Sequence, residues 1–281
     1  MTGTLYICAT PIGNLADITF RTVDTLKNVD LIAAEDTRHS RILLDRFEID
    51  VPLTSYHEHN KYEKADYLVG KLLQGIDIAL ITDAGTPVIS DPGEVLVKAC
   101  VDAGIPVTSL PGPCACITAL TVSGLAARRF CFEGFLPQDN KDRREVLERL
   151  GQETRTTIFY EAPHHLKQTL QDLEKVIGGV RTVALCRELT KIHEDIWRGS
   201  IGDAVAYYKE ATPKGEYVIV VSGRAQEEIE AEKAERWENV PLQDHLQHYM
   251  SQGYNRKEAM KMMAADRGCS RREIYQLLLP Q

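Results

Sequence analysis

The segment Ile76-Asp-Ile-Ala-Leu-Ile-Thr82, followed at once by Asp83-Ala-Gly-Thr-Pro87, decides the fold. A short and almost wholly apolar run is typical of a strand buried on both faces of a parallel sheet, and the Gly/Pro turn marks where that strand ends. Similar runs occur at Thr4–Ala9, Asp30–Ala34 and Pro106–Leu110. The sequence therefore predicts several strands of one sheet in the first half of the chain.

Helical patterns lie between these strands, with apolar residues at the spacing of one buried helix face. They cover residues 17–28, 61–73 and 93–103. The pattern then restarts in the second half of the chain. Further strands are expected at 130–135, 156–160, 181–186, 196–199 and 216–221. Further helices are expected at 163–177 and 199–210. This alternation predicts an α/β fold of two lobes with mostly parallel or mixed sheets.

The domain organisation is predicted from changes in composition. Residues 1–112 form the N-terminal α/β lobe and residues 113–224 the second α/β lobe, with the boundary at the Pro/Gly-rich run after Leu110. Residues 225–235 hold five Glu against one Lys, which is typical of a solvated acidic linker helix. Residues 236–281 are predicted to form a small helical, helix-turn-helix-like unit, with caps at Asn255 and at Ser270.

Charge and cysteine content exclude several classes of protein. The net charge of −8 over 281 residues rules out a basic field over the whole chain, so any RNA contact must come from a local patch. Seven cysteines without a CxxC pair favour reduced, buried thiols in a cytoplasmic protein. The sequence shows no signal peptide and no apolar run of about 20 residues, so no membrane contact is expected. His57 and His59 lack further ligands at matching spacing, so no metal is predicted.

Gly/Pro turns follow three of the predicted strands in the first lobe. They are Ala9–Leu15, Thr82–Pro87 and Leu110–Ala115. Ligands of open α/β sheets bind outside the carboxyl ends of the strands, so these turns are expected to converge on one small-molecule crevice. Asp83 stands out because its carboxylate can accept hydrogen bonds from a ligand. The alternatives are that Asp83 only caps its loop and that the turns are only tight connections.

Seven motifs in this order resemble the tetrapyrrole-methylase superfamily, the class III methyltransferases. The motifs are Leu5–Asn14, Glu35–Arg38, Asp83–Pro87, Leu110–Pro113, Glu133–Pro137, Tyr160–Pro163 and Arg187–Lys191. Within the superfamily they are most similar to the branch of bacterial methyltransferases that modify a ribose 2′-oxygen of small-subunit ribosomal RNA. The resemblance covers about residues 4–222, and the C-terminal helical unit also suits this branch.

The resemblance implies S-adenosylmethionine (SAM) bound in a cleft between the two lobes, usually in a homodimer. It also implies a substrate, 16S rRNA of the small ribosomal subunit, methylated on a cytidine of the decoding region. The residues expected to bind the cofactor lie on the three turns and on two strands of the second lobe. They are Pro11, Gly13, Asp83, Ala84, Gly85, Thr86, Pro87, Pro111, Gly112, Cys114, Ala115, Tyr160 and Leu185.

Catalysis and RNA binding are assigned to polar residues in loops expected near the cleft. A ribose hydroxyl must lose its proton to a base within hydrogen-bond reach. The expected catalytic residues are Arg38, Glu58, Glu188 and Lys191, with Arg38 positioning RNA and Glu58 or Glu188 assisting deprotonation. The expected RNA-binding residues are Arg38, His57, Lys261, Arg271 and Arg272. Residues 236–281 hold seven basic and five acidic residues, which leaves a local charge of +2.

Simpler roles and two other functions remain open from the sequence. Glu188 and Lys191 are as readily a structural ion pair, His57 a surface residue, and the helical unit a packing or dimer-bracing appendage. One alternative function is methylation of a carbon atom of a tetrapyrrole. The other is a non-enzymatic RNA-binding or ribosome-assembly role. Binding of SAM in solution separates the enzymes from the binding protein.

Overall fold

A computed structural model of the chain describes residues 1–278 and divides them into two units. Unit 1 contains residues 1–150 and 156–222, and unit 2 contains residues 151–155 and the chain from Gly223 onward. Both sheets lie within unit 1, whereas residues 151–155 and 223–224 of the predicted second lobe belong to unit 2. The last three residues of the predicted C-terminal unit, 279–281, lie outside the described residues.

The first sheet of unit 1 is parallel throughout, in the order β3-β2-β4-β1-β5. Its strands are β1 (Leu5–Cys8), β2 (Leu31–Ala34), β3 (Leu53–Ser55), β4 (Ile78–Ile81) and β5 (Val107–Leu110). Its helices are α1 (Phe20–Asn28), α2 (Thr37–Arg46), α3 (Lys61–Leu73) and α4 (Gly93–Asp102). Helices α3 and α4 pack on one face and α1 and α2 on the other, so that all four residues of β4 are buried.

The second sheet of unit 1 is mixed, in the order β6-β7-β10-β8-β9. Its strands are β6 (Phe130–Phe135), β7 (Thr156–Glu161), β8 (Thr182–Arg187), β9 (Asp195–Ser200) and β10 (Tyr217–Val221), and only β6 and β7 pair in parallel. Its helices are α5 (Ala115–Ser123), α6 (Asn140–Gln152), α7 (Leu166–Ile177) and α8 (Ile201–Glu210). Side chains alternate along β8, with Ala184 and Cys186 facing α5, and Val183 and Leu185 facing α7 and α8.

The predicted α/β class with two lobes is confirmed, but the sequence analysis missed four elements: β3, α2, α5 and α6. Strand β3 has only three residues and lies at the sheet edge, which is too short for a periodic signal. Helix α5 is rich in apolar residues on all sides, so its sequence carries no amphipathic period. Asp36 is the N-cap of helix α2, and its carboxylate accepts hydrogen bonds from the backbone N–H groups of Arg38 and His39.

Unit 2 contains a run of four helices: α9 (Gln226–Glu238), α10 (Leu242–Ser251), α11 (Arg256–Asp266) and α12 (Arg271–Leu277). Asn255 with Glu258, and Ser270 with Glu273, form capping boxes, so the expected caps are found. Leu246, Met263 and Ile274 form the centre of its apolar core. In residues 1–278 no helix combines the length and the apolar character needed to cross a lipid bilayer.

His245 is the buried polar centre of unit 2. Its ring stacks on Trp237 with 3.6 Å between the ring centroids, and its Nε2 lies 3.2 Å from Asp266 Oδ2. The guanidinium Nε of Arg267 donates to His245 Nδ1 at 3.2 Å. Because Nδ1 accepts a hydrogen bond, the ring is neutral in the folded state, with its proton on Nε2. Burial lowers the pKa of His245, more than the hydrogen bond to Asp266 raises it.

Acidification is therefore expected to destabilise unit 2. Below the ordinary histidine pKa of about 6.5, the unfolded chain binds a proton at His245 that the folded unit does not. The free energy of unfolding therefore decreases as the pH is lowered. Trp237 fluorescence during thermal unfolding, recorded in a Trp197→Phe background between about pH 5 and 8, should show this fall. His245→Gln should flatten the pH dependence and His248→Gln should not. An unchanged pH dependence in His245→Gln would contradict the assignment.

Candidate active site

The three turns of the first lobe are bonded to one another. The backbones of Thr10 and Gly85 form a two-bond antiparallel bridge, with N–O distances of 2.9 and 3.1 Å. The hydroxyl of Thr10 donates to the carbonyl of Thr82 at 3.0 Å, and the hydroxyl of Thr86 donates to the carbonyl of Pro113 at 2.8 Å. The expected convergence of the turns at one edge of the first sheet is therefore found.

Two glycines are required by this close approach. Gly85 has φ of +88°, which L side chains rarely adopt, and a Cβ built there would lie 3.2 Å from Ile12 Cγ2. A Cβ at Gly112 would lie 2.6 Å from the Cβ of Ala9. Larger residues would force the turns apart.

The main cavity, of about 540 Å³, lies between these turns and the second sheet. This volume is in the range of small-molecule sites. The first lobe contributes Ile12, Glu35, Thr82, Asp83, Ala84, Gly85, Thr86, Ile89, Ser90 and Asp91. Cys114 and Ala115, at the start of α5, and residues of the second lobe complete it: Phe135, Tyr160, Glu161, Ala162, Pro163, Glu216, Tyr217 and Val218.

Two further cavities adjoin the main one. The second cavity, of about 390 Å³, shares Ile12, Thr82, Asp83, Ala84 and Glu216 with the main cavity. The third cavity, of about 420 Å³, shares Ile12 and Cys114 with it. Asp83 is therefore part of the wall between the main and second cavities.

The Asp83 carboxylate is held by the first lobe. Its Oδ1 accepts a hydrogen bond from the backbone N–H of Asp36 at 3.1 Å. Desolvation raises the pKa of Asp83, the Asp36 N–H acts against that, and the negative charge of Glu35 raises it further. The Glu35 carboxylate itself accepts a hydrogen bond from the hydroxyl of Thr82 at 2.6 Å. Asp83 thus has more proton affinity than an ordinary aspartate.

The loop after β4 carries both strain and an unused acceptor. Val88 and Ser90 have φ of +80° and +70°, which is unfavourable for residues with side chains, and for the β-branched Val88 in particular. Asp91 Oδ2 is buried and has no hydrogen-bond partner among residues 1–278, while Oδ1 accepts from the N–H of Gly93 at 2.7 Å. Because a buried acceptor without a partner is costly, Asp91 is poised to accept a hydrogen bond from a ligand.

Cys114 and Cys116 lie side by side at the start of α5, with 3.4 Å between their sulfur atoms. The hydrogen bond between them lowers the pKa of the Cys114 thiol, and backbone N–H groups of Cys116 and Ile117 lower it further, although burial acts in the opposite direction. Cys114 also lines the main cavity, so the thiol whose pKa is lowered is part of that cavity's wall. None of the seven cysteines forms a disulfide within residues 1–278.

Most of the residues expected to bind a cofactor line one of the three cavities. The main cavity is lined by seven of them: Asp83, Ala84, Gly85, Thr86, Cys114, Ala115 and Tyr160. Pro11 and Gly13 line the second cavity, and Gly112 lines the third. A Cβ at Gly13 would lie 2.4 Å from Lys191 Cγ, so this glycine admits the loop that follows β8.

Three of the expected cofactor residues do not line any of these cavities. They are Pro87, Pro111 and Leu185. The buried Leu185 side chain packs in the core with α7 and α8, on the face of its sheet away from α5. Pro87 and Pro111 belong to the turns and fix their backbone shape instead.

The expected catalytic residues do not form one cluster with the main cavity. Glu58 is exposed and pairs with Lys61. The side chain of Arg38 is 92% exposed and pairs with Asp36 at 3.4 Å. Lys191 lines the second cavity, where its Nζ lies 2.9 Å from Glu188 Oε1 and 2.8 Å from Glu216 Oε2.

Glu188 combines an unfavourable backbone conformation with an ion pair to Lys191 and a backbone hydrogen bond. Glu188 has φ of +50°, and its carboxylate accepts from the N–H of Glu216 at 2.9 Å. This hydrogen bond and Lys191 lower the pKa of Glu188. Desolvation by itself would lower the pKa of Lys191, but the bonds to Glu216 and Glu188 outweigh it and raise that pKa.

The expected RNA-binding residues are placed as follows. His57 is half-buried, and its Nδ1 has no hydrogen-bond partner within residues 1–278. Lys261, Arg271 and Arg272 are exposed on α11 and α12 of unit 2. In the part of the chain that the structure describes, no group of three or more His, Cys, Asp or Glu residues is arranged to hold a metal ion.

The sequence analysis missed several residues that line the cavities, above all Asp91, Glu216 and Ser40. Asp91 belongs to the turn Ser90–Gly93, and its position after a Gly/Pro turn was a usable signal. Glu216 precedes β10 and reaches the cavities only because the second sheet faces the first. Ser40 lies inside a helix that the sequence did not reveal.

Comparison with known proteins agrees with this architecture. The family described as Tetrapyrrole (Corrin/Porphyrin) Methylases matches residues 4–205, which include the first sheet and all strands of the second except β10. The chain belongs to the tetrapyrrole methylase family. The resemblance drawn from the seven motifs is thereby confirmed, and with it membership of a family of methyltransferases.

Several relatives share one name, "Ribosomal RNA small subunit methyltransferase I". The protein from Synechocystis sp. is 49% identical over 99% of this chain and 98% of its own length. The protein from Halalkalibacterium halodurans is 48% identical over 98% of this chain and 94% of its own length, and that from Escherichia coli O157:H7 is 53% identical over 80% of each chain. The first two relatives match unit 2 as well as unit 1.

Solved structures share the fold of this family at low sequence identity. A diphthine synthase has a TM-score of 0.60 at 11% identity, covering 79% of this chain and 91% of its own. Uroporphyrin-III C-methyltransferase from Thermus thermophilus, in a complex with S-adenyl homocysteine, has a TM-score of 0.56 at 15% identity, covering 78% and 97%. These similarities concern the arrangement of the two lobes.

The residues around the main cavity fit SAM. Asp91 Oδ2 offers an unused acceptor for a hydroxyl or amino group, and Gly85 leaves room that a side chain would take. Phe135 and Tyr160, whose ring centroids are 5.6 Å apart, give one wall an aromatic surface for a flat ring.

Alkylation of Cys114 should report directly on this cavity. Because its pKa is lowered, iodoacetamide is expected to modify Cys114 before the other cysteines at neutral pH and below. SAM at saturating concentration should slow that reaction, with Cys269 of unit 2 as the unprotected reference. Peptide mass spectrometry measures both sites. Equal rates at Cys114 with and without SAM would contradict cofactor binding beside this thiol.

Proposed function

We propose that this chain transfers the methyl group of SAM to the ribose 2′-hydroxyl of a cytidine in the decoding region of 16S rRNA. The observation that carries the proposal is the main cavity, built where three rigid turns meet the second lobe and fitted for a small polar molecule. The relatives named as ribosomal RNA small subunit methyltransferases, similar over nearly the whole chain, support the choice of rRNA.

In this proposal the main cavity holds the cofactor, which supplies an already activated methyl group on a sulfonium. Asp91 accepts a hydrogen bond from it, and the backbone at Cys114 and Ala115 faces it from the start of α5. The hydrogen bonds between the turns fix them before binding, so little conformational freedom is lost when the cofactor binds. The chain's own contribution to rate is therefore mainly the orientation of donor and acceptor.

The ribose hydroxyl must lose its proton to a base beside the cofactor, and the carboxylates are the candidates considered for that role. Glu58 is paired with Lys61, Glu188 is paired with Lys191 and has a lowered pKa, and neither is among the residues that line the three cavities. Asp83 lines two cavities and has a raised pKa. We assign the role of base to Asp83, with Glu188 holding Lys191 in place as a positioning residue.

RNA binding is proposed for exposed cations in both units. Arg38 on α2 and Lys261, Arg271 and Arg272 in unit 2 are exposed and suited to phosphate contacts, with His57 as a further contact. The proposal also includes that the enzyme acts in the cytoplasm and that it is a homodimer.

The test is methyl transfer from labelled SAM to small ribosomal subunits isolated from cells that lack this enzyme. Mass-spectrometric mapping of the rRNA should find one new methyl group, on a ribose of a decoding-region cytidine. Naked 16S rRNA and a tetrapyrrole precursor are the parallel substrates. Methylation of the tetrapyrrole in place of rRNA, or no SAM binding in calorimetry, would overturn the proposal.

Reversal of charge on unit 2 should weaken RNA binding without affecting the cofactor. The triple variant Lys261→Glu/Arg271→Glu/Arg272→Glu is expected to lower affinity for small subunits by about 10-fold or more and to reduce its salt dependence. SAM affinity in calorimetry should stay at the wild-type value. Glu227→Lys/Glu228→Lys on α9 is a control for charge changes elsewhere in unit 2. Unchanged RNA affinity in the triple variant would limit unit 2 to a structural role.

A further inference from the structure

The second cavity lies directly beside the main cavity and has its own polar groups. The two share Asp83 and Glu216, while Ser40 and Lys191 line only the second. A molecule in the second cavity would therefore share Asp83 as a neighbour with a cofactor in the main cavity. That is the arrangement that transfer between two bound molecules requires.

Ser40 is a buried hydroxyl without a partner. Its residue is 3% exposed, and its Oγ makes no hydrogen bond to any atom of residues 1–278. The backbone N–H of Ser40 is satisfied by the carbonyl of Asp36 at 2.9 Å, so only the side chain is left over. A buried hydroxyl without a partner is unfavourable, and a ligand in the second cavity would satisfy it.

The remaining walls combine apolar surfaces with charged edges. Pro11, Leu15 and Ile42 provide apolar surface, and Lys191 and Glu216 are held together by their ion pair at 2.8 Å. An ammonium donates hydrogen bonds and a carboxylate accepts them. A flat ring with both donor and acceptor atoms on its edge, attached to a sugar, matches this set of groups, and about 390 Å³ is enough to hold it.

We propose that the second cavity is the acceptor subsite and holds one pyrimidine nucleoside turned out of the RNA strand. The inference rests on the proposed function. The base lies toward Ser40, Lys191 and Glu216, and the ribose lies toward Asp83. An amino group of the ring donates to Glu216, while ring oxygen or nitrogen acceptors receive from Lys191 and Ser40. Arg38, on the same helix as Ser40, binds a neighbouring phosphate.

The transfer step follows from this placement. Asp83 takes the proton of the 2′-hydroxyl, and the oxygen lone pair forms the new O–CH₃ bond. The bond between sulfur and the methyl carbon breaks, its electron pair stays on sulfur, and the positive charge of the sulfonium is neutralised. No other reactant is needed.

Two isoleucines on adjoining cavities provide a matched test. Ile42 on α2 is 68% exposed and lines the second cavity, while Ile117 on α5 is 43% exposed and lines the third. Because both are exposed, Trp at either position is compatible with folding. Ile42→Trp is expected to lower kcat/KM for small subunits by about 100-fold, with SAM affinity unchanged. Ile117→Trp should retain wild-type kcat/KM.

A smaller change tests the unpartnered hydroxyl. Ser40→Ala should raise KM for the small subunit by about 5- to 10-fold and leave SAM affinity unchanged. Because it removes a buried hydroxyl without a partner, it should not lower the melting temperature. It also serves if Ile42→Trp does not fold. The inference is overturned if Ile42→Trp and Ser40→Ala both keep wild-type kinetics, or if Ile117→Trp is the variant that loses activity. An inactive wild-type protein would instead remove the proposed function itself.

Discussion

Asp83→Asn is expected to lower kcat for methyl transfer by about 100-fold or more, with a much smaller change in SAM affinity. The amide keeps the size of the carboxylate, and its oxygen can still accept the backbone N–H of Asp36. It cannot take a proton from the ribose hydroxyl. Single-turnover methyl transfer at saturating SAM and substrate measures this loss.

The pH dependence gives an independent readout of the same residue. Desolvation raises the pKa of Asp83, so its basic form is lost at a higher pH than for an aspartate of ordinary pKa. The rate of the wild-type enzyme should therefore rise with pH through that raised pKa and level off above it. In Asp83→Asn this limb should disappear, which a purely structural role of Asp83 would not explain.

Three further variants complete the experiment on the base. Asp102→Asn makes the same change in an exposed ion pair with Lys98 on α4 and should be fully active. Glu58→Gln and Glu188→Gln test the other carboxylates. The assignment of Asp83 as the base is wrong if Asp83→Asn keeps the wild-type rate and pH profile while Glu58→Gln or Glu188→Gln is slow. The base is then the residue whose substitution abolishes the rise of the rate with pH.

Local sequence was sufficient to predict the turns of the first lobe because they follow the ends of strands, although it did not reveal β3 or α2. The apolar run before Asp83 identified β4, and the Gly/Pro turns identified the edge of the sheet where the cavities lie. Parallel strands place their carboxyl ends together, so turns far apart in sequence could be expected to meet. The bonds between Thr10 and Gly85 realise that expectation.

The second lobe's part of the site could not be obtained in the same way. Glu216 and Phe135 reach the main cavity only through the way the mixed sheet packs against the turns, which no local pattern encodes. The unpartnered oxygens of Asp91 and Ser40 become visible only once burial and partners are known. Strand alternation also decides that Leu185 faces α7 and α8, which the expectation drawn from the family resemblance did not take into account.

Gly85→Ala is expected to raise the Kd for SAM by about 10- to 100-fold, or ~1.4–2.8 kcal/mol. At φ of +88° an added Cβ is strained, and it would lie 3.2 Å from Ile12 Cγ2. Relief requires the loop to move, and the two backbone bonds to Thr10 move with it. Because Ile12 lines all three cavities, that displacement alters the walls where donor and acceptor bind. Calorimetric titration with SAM measures the change.

Gly104→Ala separates backbone strain from damage to the cavity. Gly104 also has positive φ, +68°, but a Cβ there meets no atom of residues 1–278 within 4 Å, and it follows α4 away from the cavity walls. Both substitutions should lower the free energy of unfolding by about 1 kcal/mol. Only Gly85→Ala should weaken SAM binding, because only there does the strained residue hold two turns together. Equal SAM affinity in the two variants would mean that the turn around Gly85 contributes stability alone, and that the donor binds elsewhere.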